Sequence, residues 1–168
     1  MSTIAITRSL KNLIDENLKL LSKQSLNLAV GGAVSVKPPK WRWGGKELDF
    51  FFYQALALYM SSKKEIVFNR SLLIELFNEA AKMEIMDDYF KLLRHLIAEE
   101  YWHCLQDRQG YLRNRKDMSK DEIVWIEKEA KKMAGELTGV SQERFTEILY
   151  RISGFETISP EEEELELF

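Results

Sequence analysis

Two histidines and two glutamates between residues 95 and 103 have the types and spacing of a metal site. His95, Glu99 and His103 recur every four residues, so a helix would present them on one face. Imidazole nitrogens and carboxylate oxygens are ligands that zinc, iron and manganese take in proteins. Glu100 and His103 also form one E-x-x-H, the motif that di-iron helical bundles use twice.

This ligand set is incomplete for such a centre. A second E-x-x-H cannot form, because the chain has only two histidines. The alternative interpretation is that Glu99 and His103 are a surface pair one helical turn apart. We therefore predict no metal and no cofactor, and keep a metal-dependent enzyme that uses His95, Glu99, Glu100 and His103 as a third hypothesis.

Cys104, the only cysteine, is no better supported as a catalytic nucleophile. It is adjacent to His103, but consecutive helical residues do not face each other. It also lies on an apolar stripe, where cysteine behaves as a small hydrophobic residue. Since G-x-S-x-G, P-loop and G-x-G-x-x-G motifs are missing too, the sequence predicts a protein that is not an enzyme.

Two cation-rich segments with aromatic residues predict contact with nucleic acid. They are KPPKWRWGGK, residues 37–46, and RQGYLRNRKDMSK, residues 108–120. Lysine and arginine bind phosphates, and bases stack on aromatic or guanidinium faces. Without a base-reading motif, we expect backbone contacts of no sequence specificity, to either DNA or RNA. The candidate nucleic-acid-binding residues are Lys37, Lys40, Trp41, Arg42, Trp43, Lys46, Arg108, Arg113, Arg115, Lys116 and Lys120.

The same features have an alternative interpretation. Trp41 or Trp43 would instead cover the core, and the cations would only add solubility. Exposed tryptophan is also a common anchor of protein interfaces, and the acidic, partly apolar residues 156–168 could dock on a neighbouring subunit. The second functional hypothesis is therefore a helical protein–protein interaction module, an adaptor or an inhibitor. Lys128, Lys131 and Lys132, interleaved with Glu127 and Glu129, are expected to form a solvated face.

Length and composition are those of one globular domain. The chain has 168 residues, of which 45% are hydrophobic and 30% charged. Residues 156–168 contain six of the 27 acidic residues and no cation, so the remainder, with 24 cations, is net positive. A single cysteine, no signal-like N-terminus and no apolar stretch of about 20 residues predict a cytoplasmic protein without a membrane partner.

The hydrophobic spacing predicts an all-α fold, a single-domain bundle of about six helices over residues 1–155 followed by an acidic tail over 156–168. A basic, Trp-containing loop follows the first helix, and KELDFFFYQALALYM from Lys46 onward predicts the second helix. The later helices are expected to begin at Asn69, Asp87 or Asp88, Ser119 and Ser141, and to end at Gly110, Gly139 and Gly154.

A cytosolic all-α protein of this size, with basic loops and neither a catalytic set nor a base-reading motif, resembles the small helical subunits of CRISPR–Cas interference complexes of the Cascade type. The resemblance is architectural, covers the whole chain and identifies no family residue in it. It implies a non-catalytic subunit of a larger nucleoprotein complex in antiviral defence. Its implied partners are nucleic-acid backbone, other protein subunits and further copies of itself packed head to tail.

Overall fold

The computed structural model describes residues 1–25, 37–50 and 53–154, apart from the side chain of Arg115. Over these residues the chain forms five α-helices and a three-stranded sheet, so the prediction of an all-α bundle of six helices is wrong and the fold is α+β. The helices are α1 (Thr3–Ser25), α2 (Arg70–Lys82), α3 (Met86–Arg108), α4 (Lys120–Thr138) and α5 (Gln142–Ser153), and the strands are β1 (Lys40–Trp43), β2 (Ala57–Met60) and β3 (Glu65–Phe68).

A small mixed sheet replaces the second helix that the sequence predicts. β3 is the central strand, with β1 parallel to it on one side and β2 antiparallel on the other. Ile66, Val67 and Phe68 in β3 are fully buried, as is typical of a central strand covered on both faces. The predicted loop therefore contains β1, while the apolar segment after it forms a short 3-10 turn, Lys46–Leu48, and then β2.

The central helix α3 positions the candidate metal ligands. It contacts the four other described helices and the strands β2 and β3. Every residue from His95 to Gln106 is buried, so the polar side chains in this stretch lie inside the protein. The interpretation of Glu99 and His103 as a surface pair is therefore wrong.

The predicted helix caps are mostly confirmed. Three predicted N-caps accept a hydrogen bond from the backbone N–H three residues later: Asn69, Ser119 and Ser141. Gly139 and Gly154 end α4 and α5 with left-handed backbone. The start of α3 differs, because Ile85 precedes its first residue and Asp87 and Asp88 lie within the first turn, where carboxylates favour the positive end of the helix dipole.

Some of the predicted features fall outside the part of the chain that the structure describes. These are the acidic tail over 156–168 and the Arg115 side chain. A search of the described helices for one with the length and apolar character to span a bilayer finds none.

Candidate metal centre

Glu99 and His103 on α3 meet Glu127 on α4 inside the protein. One ligand atom from each residue lies within 4.8 Å of those of the other two, and each of the three residues is only 8% exposed. Glu99 and His103 are one helical turn apart, as their spacing predicts. One imidazole nitrogen and two carboxylate oxygens make a donor set that zinc, manganese and iron accept. We call Glu99, His103 and Glu127 the buried trio.

Glu127 is buried because it lies on the hydrophobic face of α4. Ile123 precedes Glu127 by four residues and Ala130 follows it by three, so all three lie on one face, and all are buried. Lys131, one turn further on, is 7% exposed. The expectation that Glu127 and Lys131 belong to a solvated face is therefore wrong.

Gln106 fixes the orientation of the His103 ring. The side-chain N–H₂ of Gln106 donates to the carbonyl of Ile126 at 3.0 Å and to Glu129 at 3.2 Å. Because those acceptors orient the amide, its Oε1 faces His103 and accepts the Nδ1–H at 2.8 Å. The other ring nitrogen, Nε2, then points at Glu127 Oε2, 3.4 Å away. Ligand histidines in metal sites are held by the same kind of second contact.

The buried trio combines carboxylates with positive charge, because the Lys131 ammonium is buried beside it and lowers the pKa of Glu99 in part. Burial, reinforced by the nearby Glu100 and Glu127 carboxylates, raises the pKa of Glu99 to about 8. Burial alone would lower the pKa of His103, but Glu127, Glu100 and Glu99 outweigh it and raise the pKa to about 10. Glu99 and His103 therefore hold their protons near neutral pH, and a divalent cation would have to displace them.

The Glu99 carboxylate makes no hydrogen bond to a described residue. Its closest ion-pair contact, His95 Nε2, is 3.9 Å from Oε2, which is too long for a hydrogen bond. His95 is instead occupied by the start of α5: its Nδ1–H donates to the Val140 carbonyl at 2.6 Å, and its Nε2 lies 2.9 Å from the side-chain amide of Gln142. Burial lowers the pKa of His95. His95 therefore anchors α5 and is not a member of the buried trio.

The buried trio lies in the wall of a pocket of about 1040 Å³. Glu100 and Lys131 line the same pocket, and so do residues 53–62, which include β2. Tyr59 of β2 is held against α3 by its hydroxyl, which donates to Asp107 Oδ2 at 2.6 Å, and Lys64 contacts the same oxygen at 2.7 Å. The pocket therefore combines buried ionisable groups with the edge of a sheet.

The first predicted nucleic-acid-binding segment has three side chains engaged within the protein. Trp41 donates its indole N–H to Asp15 Oδ1 at 2.7 Å, and its ring packs edge-on against Trp43. Both tryptophans are partly buried against the hydrophobic core. Arg42 forms ion pairs of 2.6 and 2.7 Å with the carboxylates of Glu47 and Glu65. The exposed cations of this segment are Lys37, Lys40 and Lys46.

The second predicted segment lies at the surface and meets the first. Arg108, Arg113, Lys116 and Lys120 are exposed, and Arg113 forms an ion pair with Glu122. Arg108 Nη2 donates to the backbone carbonyl of Lys37 at 3.3 Å. The structure therefore brings the two cation-rich segments together at this contact, which the sequence did not indicate.

No family model, curated protein or solved structure matches the chain. The resemblance to CRISPR–Cas small subunits therefore stays a prediction.

Proposed function

We propose that this protein is a metal-dependent hydrolase that cleaves peptide bonds. One observation carries the proposal: the ligand atoms of Glu99, His103 and Glu127 lie within 4.8 Å of one another in the wall of a large pocket. Five buried ionisable side chains line this pocket, Glu99, Glu100, His103, Glu127 and Lys131, and perturbed ionisable groups in a cleft are enriched at functional sites. We propose a cytoplasmic location for it, because the single cysteine suits a reducing compartment.

The ligand pattern on α3 differs at one position from a well-known zinc motif. Residues 99–103 read E-E-Y-W-H, whereas H-E-x-x-H binds zinc through two histidines one turn apart and uses the intervening glutamate as general base. Glu99 takes the place of the first histidine, and a carboxylate can fill that position. Glu127 on α4 supplies the third ligand, which leaves coordination positions for water and substrate.

Glu100 is the residue that we assign to proton transfer. A divalent metal held by the buried trio would supply a Lewis acid, which polarises a carbonyl and lowers the pKa of water. Glu100 lines the same pocket and holds the position that the general base holds in H-E-x-x-H, so we assign to its carboxylate the proton of the water that would attack the carbonyl carbon. It then passes that proton to the leaving nitrogen as the C–N bond breaks.

The sheet edge in the pocket favours an extended polypeptide as substrate. β2 pairs with β3 on one side only within the described residues, and its whole length borders the pocket. The outward backbone groups of an edge strand can pair with an added strand. A peptide bound along β2 would lie in the same pocket as the buried trio, whereas a compact small molecule would leave these backbone groups unused.

The direct test is cleavage of an unstructured peptide library by the full chain purified without chelator and supplied with zinc or manganese. We expect metal-dependent cleavage that Glu100→Gln abolishes while bound metal is retained. Glu136→Gln, at an exposed position on α4, is the matched control and should cleave normally. Cleavage that survives Glu100→Gln, or none by the metal-loaded wild type, would contradict the proposal.

A further inference from the structure

Two aromatic side chains are paired and exposed next to the second cation-rich segment. Tyr111 is 51% exposed and Trp125 48% exposed. Their ring centroids are 5.7 Å apart with an interplanar angle of 62°. The chain has four tryptophans. The side chain of Trp125 is exposed, whereas those of Trp41, Trp43 and Trp102 are buried or partly buried.

The backbone holds this pair in place without a ligand. Trp125 lies in the second turn of α4. The Tyr111 N–H donates to the Gln106 carbonyl at 2.9 Å, at the end of α3. Leu112, the next residue, packs against the hydrophobic core. Two aromatic rings are thus exposed to solvent at fixed positions. Exposing apolar surface to water is unfavourable, and a binding role would explain why these rings are not buried.

Exposed lysines lie close to the pair in the sequence. Lys116 and Lys120 are exposed in the same segment, and Lys128, three residues after Trp125 on α4, is exposed as well. Residues 108–120 contain five cations and one acid. Acids offset part of this charge. Asp121 and Glu122 lie one turn before Trp125 on α4 and Glu129 one turn after it. Asp117 is exposed in the segment, and Glu122 pairs with Arg113.

We propose that Tyr111, Trp125, Lys116, Lys120 and Lys128 form a surface that binds single-stranded nucleic acid. Phosphates attract the lysines, and unpaired bases stack on exposed aromatic rings. A duplex would satisfy the charges but not the rings, because its bases are already stacked. This surface is independent of the proposed hydrolase and involves none of the buried trio.

Fluorescence anisotropy with a labelled oligothymidylate of about 20 nucleotides tests this surface. We expect binding at low salt that weakens steeply as salt rises. Trp125→Ala should weaken binding about tenfold, as expected for the loss of one stacked base. Tyr150→Ala is the matched control, since Tyr150 is also 51% exposed but lies on α5, and it should leave binding unchanged.

A second variant covers the case in which Trp125→Ala disturbs the fold. The double substitution Lys116→Glu and Lys120→Glu removes no packed side chain and should abolish low-salt binding. The proposal is overturned if the wild type does not bind, if duplex competes as well as single strand, or if Tyr150→Ala weakens binding as much as Trp125→Ala. It is equally overturned if both surface variants bind like the wild type.

Discussion

The Nδ1–H of His103 donates to Gln106 Oε1 at 2.8 Å, one turn along α3. Gln106 is fully buried and also donates to the Ile126 carbonyl on α4. This relationship ties the imidazole of the buried trio to both helices and directs Nε2 towards Glu127. The packed core therefore sets the orientation of the His103 ring even without a bound metal ion.

Replacing Gln106 should weaken metal binding without removing a ligand. Gln106→Leu leaves the Nδ1–H of His103 without its acceptor, so we expect metal affinity to fall by about 10- to 100-fold. We also expect a loss of about 1–3 kcal/mol in the free energy of unfolding. Competition with a chromophoric chelator measures the affinity. An affinity equal to that of the wild type would show that Gln106 does not orient the ligand.

Stability of the metal-free protein should decrease as pH rises. The pKa of Glu99 (about 8) and that of His103 (about 10) lie above their ordinary values of 4.5 and 6.5. The folded state therefore binds these protons more tightly than the unfolded state, and this stabilisation is lost as pH rises through the folded pKa values. Urea unfolding with chelator should show a decline between about pH 5 and about pH 10.

Glu99→Gln isolates the contribution of Glu99 to that decline. The amide cannot lose a proton, so the variant should lose less stability than the wild type between about pH 5 and about pH 8. Glu136→Gln, at an exposed position on α4, should follow the wild type. Identical pH profiles for wild type and Glu99→Gln would contradict the assignment of a raised pKa to Glu99.

Gly44 is required by the close approach of the segment after β1 to the central strand. A Cβ at this position would overlap Val67 Cγ1 and lie 2.7 Å from Leu48 Cδ1. We expect Gly44→Ala to lower the free energy of unfolding by about 1–3 kcal/mol. At Gly135, within α4, the nearest atom to such a Cβ is 3.4 Å away, so Gly135→Ala should not destabilise the protein. Chemical denaturation of both variants compares them directly.

Trp41 should affect stability more than nucleic-acid binding. Trp41→Phe removes the indole N–H that donates to Asp15, and an unpaired, partly buried carboxylate costs about 1–3 kcal/mol. The same variant should bind oligothymidylate like the wild type, because the ring faces α1 and the core. A weakened oligonucleotide affinity at full stability would instead support the contact that the sequence predicts for Trp41.

The helix ends were readable from the sequence, but the sheet was not. Capping side chains such as Ser119 and Ser141 act over three residues, so a local pattern reveals them. β1 pairs with β3, where Lys40 is matched with Glu65, and such distant pairing leaves no local periodicity. The apolar stretch between Lys46 and Met60 is compatible with a buried helix as well as with a buried strand.

The residues that α3 contributes to the candidate site could be predicted from the sequence, but the residue from α4 could not. The spacing of Glu99, Glu100 and His103 showed which side chains share a stretch of helix. Glu127 was missed because its lysine neighbours resemble a solvated face. Its position four residues after Ile123 and three before Ala130 was the available signal. That this stripe packs on α3 is a tertiary fact that the sequence of α4 does not contain.

The most direct test of the buried trio is the metal content of the full chain after dialysis against zinc or manganese. We predict one ion per chain in the wild type, lost in His103→Ala and in Glu127→Ala and retained in Glu136→Gln. A wild type that retains no stoichiometric ion, or a His103→Ala variant that retains as much as the wild type, would contradict the proposed metal centre.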